Sequence, residues 1–231
     1  MKRPVLLQEW HDLLFLHWRF DPQVVARTLP DDLEPETFDG SAWVGIVPFF
    51  MQRVRPVGLP CVPLLSWFLE LNVRTYVRHR TGTAVWFYSL DCNQPIAVEL
   101  ARAFFGLPYE HAKMQARRGL FIDYRCRRRG EAEGWHYRYR GSGRAQAAAP
   151  DSLEAFLLER YAFFSGDVGR RRLRGVVRHA PYQYENARVL NWTAAPLLAA
   201  GFPHPERVPD HIAYSRRVIM DALPVERVVS E

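Results

Sequence analysis

The sequence predicts a mainly β protein of the α+β class, in which an antiparallel sheet carries a few short peripheral helices. Three observations lead to this fold class. Apolar and polar residues alternate in most segments, as they do along strands with one buried face. Glycine-containing turns separate consecutive segments, and no βαβ unit repeats along the chain. With 231 residues, 48% of them hydrophobic, the chain is expected to form one packed domain over residues 1–231.

The first part of the chain combines two strands with one short helix. Residues 10–18 predict a strand, and the helix that follows has Asp21 as its N-cap, Pro22 in its first turn and Pro30 at its end. The next segment, GSAWVGIVPFFMQRVR, is apolar on both faces of a strand. It is therefore expected to be buried on both sides.

The middle of the chain predicts a hairpin, a helix and a meander. The segment FLELNVRTYVRHRTGTAVWFYSLD, residues 68–91, is typical of two strands around a Thr-Gly turn. NQPIAVELARAFFG predicts a helix with Asn93 as its N-cap and Gly106 at its end. Three further strands, YEHAKMQAR, GLFIDYRCRRRG and GWHYRYRG, predict an antiparallel meander.

The last part of the chain begins with GSGRAQAAAPDS, which is typical of a linker. Ser152 then caps a predicted helix, SLEAFLLERYAFF. Two strands are expected within LRGVVRHAPYQYENARVL, and a short helix, TAAPLLAAG, leads to a Pro-rich tail.

Arginine supplies nearly all of the basic charge. The formal net charge is +6, and the only lysines are Lys2 and Lys113. Two basic runs, RCRRRG at residues 125–130 and GRRRLRG at residues 169–175, are interpreted either as solvated turn surfaces or as nucleic-acid patches. Because neither run belongs to a recognisable nucleic-acid-binding pattern, we expect no specific nucleic-acid partner.

Composition and motifs disfavour several classes of protein. No segment has the roughly 18 apolar residues that cross a bilayer, and Glu9 and Asp12 interrupt the apolar N-terminal region, so we expect a cytoplasmic protein without a membrane partner. Cys61, Cys92 and Cys126 are widely spaced, and no P-loop or GxGxxG occurs, so we expect no disulfide, metal or cofactor. The sequence is compatible with a homo-oligomer and does not determine the oligomeric state.

The first strand of the 68–91 hairpin carries an unusual row of polar residues. Side chains alternate along a strand, so Glu70, Asn72, Arg74 and Tyr76 share one face. A guanidinium can hold a carboxylate through two parallel hydrogen bonds. The row is therefore either one wall of a small-molecule pocket or an ordinary solvated face.

The second strand of the hairpin adds aromatic residues to the same region. Trp86 and Tyr88 lie on one of its faces, and Phe87 and Ser89 lie on the other. Aromatic walls with a few fixed polar groups are typical of small-ligand sites. We take Trp86 and Tyr88 as candidates for binding, whereas Asp91 is expected to be a turn or capping acid.

Several blocks of the sequence resemble a known family. The blocks are LLFLHWRFDPQVVARTLPDDLEPETFDGSAWVGIVPFFM, FLELNVRTYV, VWFYSLD, GLPYEHAKM and LEAFLLERYAFF, in that order, within residues 10–195. They are similar to the bacterial YqjF-like proteins of unknown function, a family grouped with acetoacetate decarboxylase-like folds. The resemblance implies an antiparallel, cone-shaped barrel that encloses a small apolar cavity.

The resemblance also shows where this chain departs from acetoacetate decarboxylase itself. In that enzyme a lysine that follows a Phe-Pro step forms a Schiff base with a β-keto acid. The corresponding step here is GLPYEHAKM, where Tyr109 and Glu110 stand after Pro108 in place of the paired lysines. Lys113 shares a strand face with Tyr109, so it is either a shifted Schiff-base lysine or an exposed strand residue.

Two functional hypotheses follow from these residues. As an enzyme acting on a small keto acid or a related metabolite, the protein would use Glu70 as general acid or base, Arg74 to hold a carboxylate and Lys113 as the amine. The residues expected to bind the substrate are Asn72, Tyr76, Trp86, Tyr88 and Tyr109. As a non-catalytic binding protein, it would use the same cavity only to hold a small ligand.

Overall fold

The computed structural model describes residues 2–166 and 172–228 of the chain. These residues form fourteen strands and four short helices. The strands are β1 (Leu6–Phe20), β2 (Glu34–Pro35), β3 (Thr37–Phe38), β4 (Ser41–Pro56), β5 (Phe68–His79), β6 (Gly82–Cys92), β7 (Tyr109–Arg117), β8 (Ile122–Arg128), β9 (Trp135–Gln146), β10 (Ala162–Ser165), β11 (Leu173–His179), β12 (Tyr184–Asn191), β13 (His211–Ala222) and β14 (Glu226–Arg227). The helices are α1 (Pro22–Ala26), α2 (Pro95–Phe105), α3 (Leu153–Leu158) and α4 (Ala195–Ala199). In the two described ranges, every helix is too short or too polar to span a membrane.

The strands form a ring-like sheet. Pairing runs through β6, β7, β8, β9, β12, β13, β1, β4 and β5, and β5 pairs again with β6. A second path joins β6 to β13 through β10 and β11. This second path closes a second ring with β13, β1, β4, β5 and β6. These five strands belong to both rings, and we call them the shared sheet.

The shared sheet is buried on both faces, as the doubly apolar β4 predicts. Val44, Ile46 and Phe50 lie in one hydrophobic cluster with residues of β7, β8, β9 and β12. Trp43 and Phe49 lie in a second cluster with residues of α2, α3, β10 and β11. We call these two sides the meander face and the cavity face.

The helix ends are mostly those that the sequence predicts. Asp21 caps α1 and Ser152 caps α3, each by accepting a backbone N–H, and Gly106 ends α2 in the left-handed conformation with φ 60°. The N-cap of α2 differs from the prediction. It is Gln94, whereas the side chain of Asn93 accepts a hydrogen bond from the Leu69 amide in β5.

Three element predictions in the second half of the chain are wrong. The first half of the expected linker GSGRAQAAAPDS instead continues β9 to Gln146, because β12 pairs with it along residues 140–146. The helix after Ser152 ends at Leu158, and β10 follows because it pairs with β6 and β11. The expected tail contains β13, whose pairing with β1 and β12 completes the ring. In each case long-range pairing overrides a local pattern.

Candidate functional site

A cavity of about 310 Å³ lies on the cavity face of the shared sheet. Its walls are mainly apolar, and they include Trp10 of β1, Phe68 of β5, Phe87 of β6 and Phe163 of β10. Sites for small ligands typically begin at about this volume and combine apolar walls with a few polar groups. Strand β5 contributes three of its polar lining residues, and other segments contribute further ones, among them Gln8, Arg55, Gln94 and Arg160.

Strand β5 directs three residues of the polar row into the cavity. Glu70, Asn72 and Arg74 all line it, and they are only 3%, 4% and 6% exposed. Their positions are two residues apart, so the strand alternation places them on one face. The interpretation as a solvated strand face is therefore wrong, because these three residues are buried and line the cavity.

Glu70 is a carboxyl group with a shifted acidity. Burial away from water raises its pKa to about 7, because the charged form loses its hydration. Hydrogen bonds from Tyr109 and Asn72 partly oppose this rise, and the nearby Asp91 carboxylate adds to it. The Tyr109 hydroxyl donates to Glu70 Oε2 at 2.6 Å. Glu70 is thus held in place and can gain or lose a proton near neutral pH.

Arg74 is a buried cation without a carboxylate partner among the described residues. Its Nη2 donates to the Leu157 carbonyl oxygen at 3.1 Å, and its guanidinium lies 5.4 Å from the Phe15 ring centroid. Its Nε has no hydrogen-bond partner. Arg160, which also lines the cavity, differs because its Nη1 donates to Glu36 at 2.7 Å.

Buried polar atoms without partners cluster around this cavity. Six buried side-chain atoms of the described residues are unpaired, and three of them, Trp10 Nε1, Asn72 Oδ1 and Arg74 Nε, belong to residues that line the cavity. Such atoms are uncommon in folded proteins because each one costs free energy when it leaves water. Two donors and one acceptor at one cavity are what a polar ligand would satisfy.

Tyr76, the fourth residue of the row, does not line the cavity and is instead bound in a chain of buried hydrogen bonds. Its hydroxyl lies 2.8 Å from the Leu157 carbonyl oxygen and 2.8 Å from His17 Nε2, and His17 Nδ1 lies 3.0 Å from His211 Nδ1. Because a carbonyl only accepts, Tyr76 donates to Leu157, His17 Nε2 donates to Tyr76, and His211 Nδ1 donates to His17.

Both histidines are held neutral. Burial, together with the neighbouring Arg74 cation, lowers the pKa of His17 well below its usual value and that of His211 to about 4. Gly45 makes room for the His17 ring, since a Cβ there would lie 2.7 Å from Nε2. In the described ranges no group of three or more His, Cys, Asp and Glu residues is arranged to hold a metal ion.

Trp86 and Tyr88, expected to bind the substrate, lie outside the cavity lining. A bulge in β6 explains this, because Val73 pairs with Ser89 whereas Arg74 pairs with Phe87, which leaves Tyr88 as an extra residue. The bulge shifts the alternation, so Phe87 faces the cavity beside Arg74. Tyr88 bonds to the Thr28 hydroxyl at 2.7 Å, and Trp86 lies under the Arg172 guanidinium.

The lysine expectation also needs correction. Lys113 is exposed and lies in an outer groove of the meander with Arg127, away from the cavity. Of the two interpretations, an exposed strand residue therefore agrees with the structure. Lys2, the other lysine, is exposed and pairs with Glu226. Neither lysine lines the cavity, whereas Tyr109, the first residue of β7, does.

The basic runs and Asp91 contribute to the packing of the fold. Asp91 is fully buried rather than a turn acid, and Arg128 of the first run binds it through two hydrogen bonds of 2.7 and 2.9 Å. Arg172 of the second run binds Asp32 in the same way. Residues 169–171 of that run lie outside the described residues.

Sequence reasoning missed several residues of the cavity lining and of the buried hydrogen-bond chain. Arg160 and Tyr182 reach the cavity from the segments after α3 and β11. His17 and His211 meet across β1 and β13, which are distant in the sequence. A doubly apolar β4 is the only signal that a second buried face exists, and it does not indicate which distant segments cover that face.

The fold is similar to that of acetoacetate decarboxylase-like enzymes. The chain superposes on an acetoacetate decarboxylase-like enzyme from Sphingomonas wittichii RW1 with a TM-score of 0.64, over 99% of this chain and 95% of that chain, at 14% identity. It superposes on the enduracididine biosynthesis enzyme MppR, complexed with pyruvate, with a TM-score of 0.65, over 98% and 91%, at 12% identity. At these identities the likeness is one of fold.

The chain belongs to the DUF2071 family of uncharacterized conserved proteins, whose family model matches residues 7–219. The uncharacterized protein YqjF of Bacillus subtilis (strain 168) is 35% identical to it over 185 residues, which cover 79% of this chain and 76% of that protein. The resemblance seen in the sequence blocks is thereby confirmed.

Proposed function

We propose that the protein binds a small oxygenated carboxylate, such as a keto acid, in this cavity and that Glu70 transfers a proton to or from it. The observation that carries the proposal is the buried Arg74 guanidinium, which lines an apolar cavity and has no carboxylate partner among the described residues. An uncompensated buried charge is unfavourable for folding. A ligand carboxylate would compensate it through charge-assisted hydrogen bonds.

Glu70 supplies the second role. It is four residues from Arg74 on the same strand face, roughly 13 Å between their Cα atoms at about 3.3 Å per residue. The two side chains would therefore contact different atoms of one ligand. With a pKa of about 7, Glu70 can act as general base or general acid near neutral pH.

The proton transfer would convert a ketone to its enol. As a base, the Glu70 carboxylate takes a proton from the carbon beside the carbonyl group, and the C–H electron pair moves into a C=C bond while the carbonyl electrons move to oxygen. Asn72 Oδ1, an acceptor without a partner, lies next along the strand and would accept the hydrogen bond of the enol hydroxyl. The protonated Glu70 then delivers this proton to the enolate oxygen, which forms the enol hydroxyl and regenerates the Glu70 carboxylate.

Imine chemistry on a lysine is not part of the proposal. Lys2 and Lys113, the two lysines of the chain, both lie outside the cavity. The substrate class draws support from the structural neighbour MppR, which was complexed with pyruvate.

A second candidate function is non-catalytic binding of the same ligand. The hydrogen bond from Tyr109 to Glu70, at 2.6 Å, favours this alternative because it already occupies one carboxyl oxygen. Binding without proton transfer would distinguish the two functions.

The test measures binding and proton exchange on the same samples. Pyruvate, 2-oxobutanoate, acetoacetate and levulinate are each incubated with the protein in D₂O, and NMR follows deuterium incorporation beside the carbonyl group. A ligand-induced rise in melting temperature reports binding. Glu70→Gln is expected to abolish exchange and keep binding, whereas Arg74→Met abolishes both. Glu110→Gln, a half-exposed carboxylate outside the cavity, and Lys113→Met serve as matched controls.

The possible outcomes separate the hypotheses. Binding that requires Arg74 but occurs without exchange supports the non-catalytic alternative. Binding of none of the four acids by the parent protein would overturn the proposal. A loss of exchange in Lys113→Met would show that the proton transfer depends on a residue outside the cavity.

A further inference from the structure

The cavity has one closed end and one open end. Arg74, Leu158 and Tyr182 are buried at the closed end. At the other end the lining residues Ile96 and Leu100 of α2 are 52% and 50% exposed. The opening therefore lies between α2 and the loop of residues 57–67, which also contributes exposed lining residues.

The open end is largely apolar although it faces solvent; Arg55, a cationic lining residue beside the loop, donates to the Arg53 carbonyl oxygen and to Cys61 Sγ. Leu100 of α2 and Val62 of the loop both line the cavity and are about half exposed. The loop is held against the helix by Gln94, whose Nε2 donates to the Leu64 carbonyl oxygen. An exposed apolar rim at a cavity entrance is typical of a site that receives hydrocarbon.

Two polar lining residues at this open end, Gln94 and Ser66, are already satisfied within the protein, whereas Trp10 Nε1, at the level of Phe68 in the strand register, is not. The Gln94 side chain accepts from the Ala97 amide, and Ser66 Oγ accepts from the Val62 amide. The unpaired atoms of β5, in Asn72 and Arg74, lie further in. The unpaired atoms of β5 therefore favour a ligand whose carboxylate and oxygen substituent lie in the closed half of the cavity and whose hydrocarbon part lies in the open half.

The shape of the cavity indicates a linear ligand. Phe68 and Arg74, six residues apart on β5, both line it, and this separation corresponds to roughly 20 Å at about 3.3 Å per residue. A volume of about 310 Å³ distributed over such a length is narrow. An extended hydrocarbon chain suits this space better than a compact ring does.

We infer that the ligand is a medium-chain aliphatic carboxylate, with its carboxylate at Arg74, an oxygen substituent beside Asn72 and Glu70, and its hydrocarbon tail leading out between α2 and the 57–67 loop. This inference rests on the proposed function and names the substrate class of the same site. Three- and four-carbon acids would occupy only the closed half of the cavity.

The test is a chain-length series. Straight-chain monocarboxylates from acetate to dodecanoate, and their 3-oxo counterparts where stable, are titrated calorimetrically into the full-length protein below their micelle-forming concentrations. Each added methylene is expected to tighten binding by roughly fourfold, the factor that corresponds to about 0.8 kcal/mol per buried CH₂, until the chain reaches the opening. Beyond that length the affinity stops rising.

A matched pair of variants locates the tail. Leu100→Glu places a charge on the rim and is expected to weaken the long acids at least tenfold while leaving acetate unchanged. Phe104→Glu changes an exposed residue of the same helix that does not line the cavity, and it should have no effect. Both side chains are at least half exposed, so neither substitution disturbs the core. Arg74→Met should abolish binding at every chain length.

Three results would overturn the inference in distinguishable ways. An affinity that depends on Arg74 but not on chain length rejects the tail and leaves the proposed function standing. An equal loss in Leu100→Glu and Phe104→Glu indicates adsorption to the outer surface of α2. Failure of every acid to bind rejects the proposed function together with the inference.

Discussion

The two faces of the shared sheet differ in how fully their buried polar groups are paired within the protein. On the meander face the buried Asp91 carboxylate is bound by Arg128, which also donates to Ser89 Oγ at 2.8 Å. The buried Tyr124 hydroxyl on that face donates to the carbonyl oxygens of Phe49 and Glu70. These groups are paired, as they usually are in a protein core.

On the cavity face the same strands carry groups that the described residues do not satisfy. Arg74 has no carboxylate partner, Asn72 Oδ1 accepts no hydrogen bond, and burial raises the pKa of Glu70 to about 7. Burial also raises the pKa of Asp91, so the two faces differ in pairing: Asp91 is bound by Arg128, whereas Arg74 and Asn72 each keep an unpaired buried atom. Unpaired buried polar groups that surround a cavity are best explained by a ligand.

The largest expected difference is between Arg128, whose side chain is 14% exposed, and the buried Arg74. Arg128→Met leaves Asp91 as an uncompensated buried charge, and it should lower the free energy of unfolding by about 3–5 kcal/mol. Arg74→Met removes a cation that has no carboxylate partner among the described residues, and we expect it to leave the unfolding free energy unchanged or to raise it by about 1 kcal/mol. Urea unfolding of both variants and the parent protein, monitored by tryptophan fluorescence, measures the difference.

A double variant provides the control for this comparison. Arg128→Met combined with Asp91→Leu removes both charges and should recover most of the lost stability. Equal destabilisation by Arg128→Met and Arg74→Met would show that the two faces do not differ.

The second prediction concerns the pH dependence caused by Glu70. Its pKa is raised from 4.5 to about 7 in the folded protein, so below 4.5 both states carry the proton and the shift has no effect on stability. Between these values the unfolded chain loses the proton first, and the folded state becomes less stable as pH rises. Above about pH 7 the full effect, about 3 kcal/mol, opposes folding.

Glu70→Gln removes this effect. The variant should unfold with the same free energy as the parent near pH 4 and should be about 3 kcal/mol more stable near pH 8, as measured by urea unfolding across this range. Glu110→Gln, which changes a half-exposed carboxylate of β7, is the control and should show no such trend. A constant difference between Glu70→Gln and the parent would mean that Glu70 titrates normally.

The smallest expected effect is on the meander face. Tyr124→Phe removes the hydroxyl that donates to two backbone carbonyls, and it should cost about 1 kcal/mol at every pH. Tyr109→Phe, on the cavity face, instead removes a donor to Glu70 and should raise the pKa of that carboxyl further. Unfolding measured near pH 5 and pH 8 separates the two, since a pH-independent loss in Tyr109→Phe would contradict the assignment.

Part of the fold and part of the site follow from the sequence. The alternation of β5, the caps at Asp21 and Ser152 and the two apolar faces of β4 depend on near neighbours in the chain, and these predictions are confirmed. The assignments of Trp86 and Tyr88 to the pocket do not match the structure, because a bulge shifts the alternation of β6. No local pattern indicates the position of that bulge.

The sequence by itself determined that Glu70, Asn72 and Arg74 share a face, because side chains on a strand repeat every two residues. Only the tertiary structure decided that this face encloses a cavity, that Lys113 lies outside it and that Arg74 has no carboxylate partner among the described residues. These features depend on strand register and on which distant segments cover the sheet. Such contacts join residues far apart in the chain, and the spacing of neighbouring residues carries no record of them.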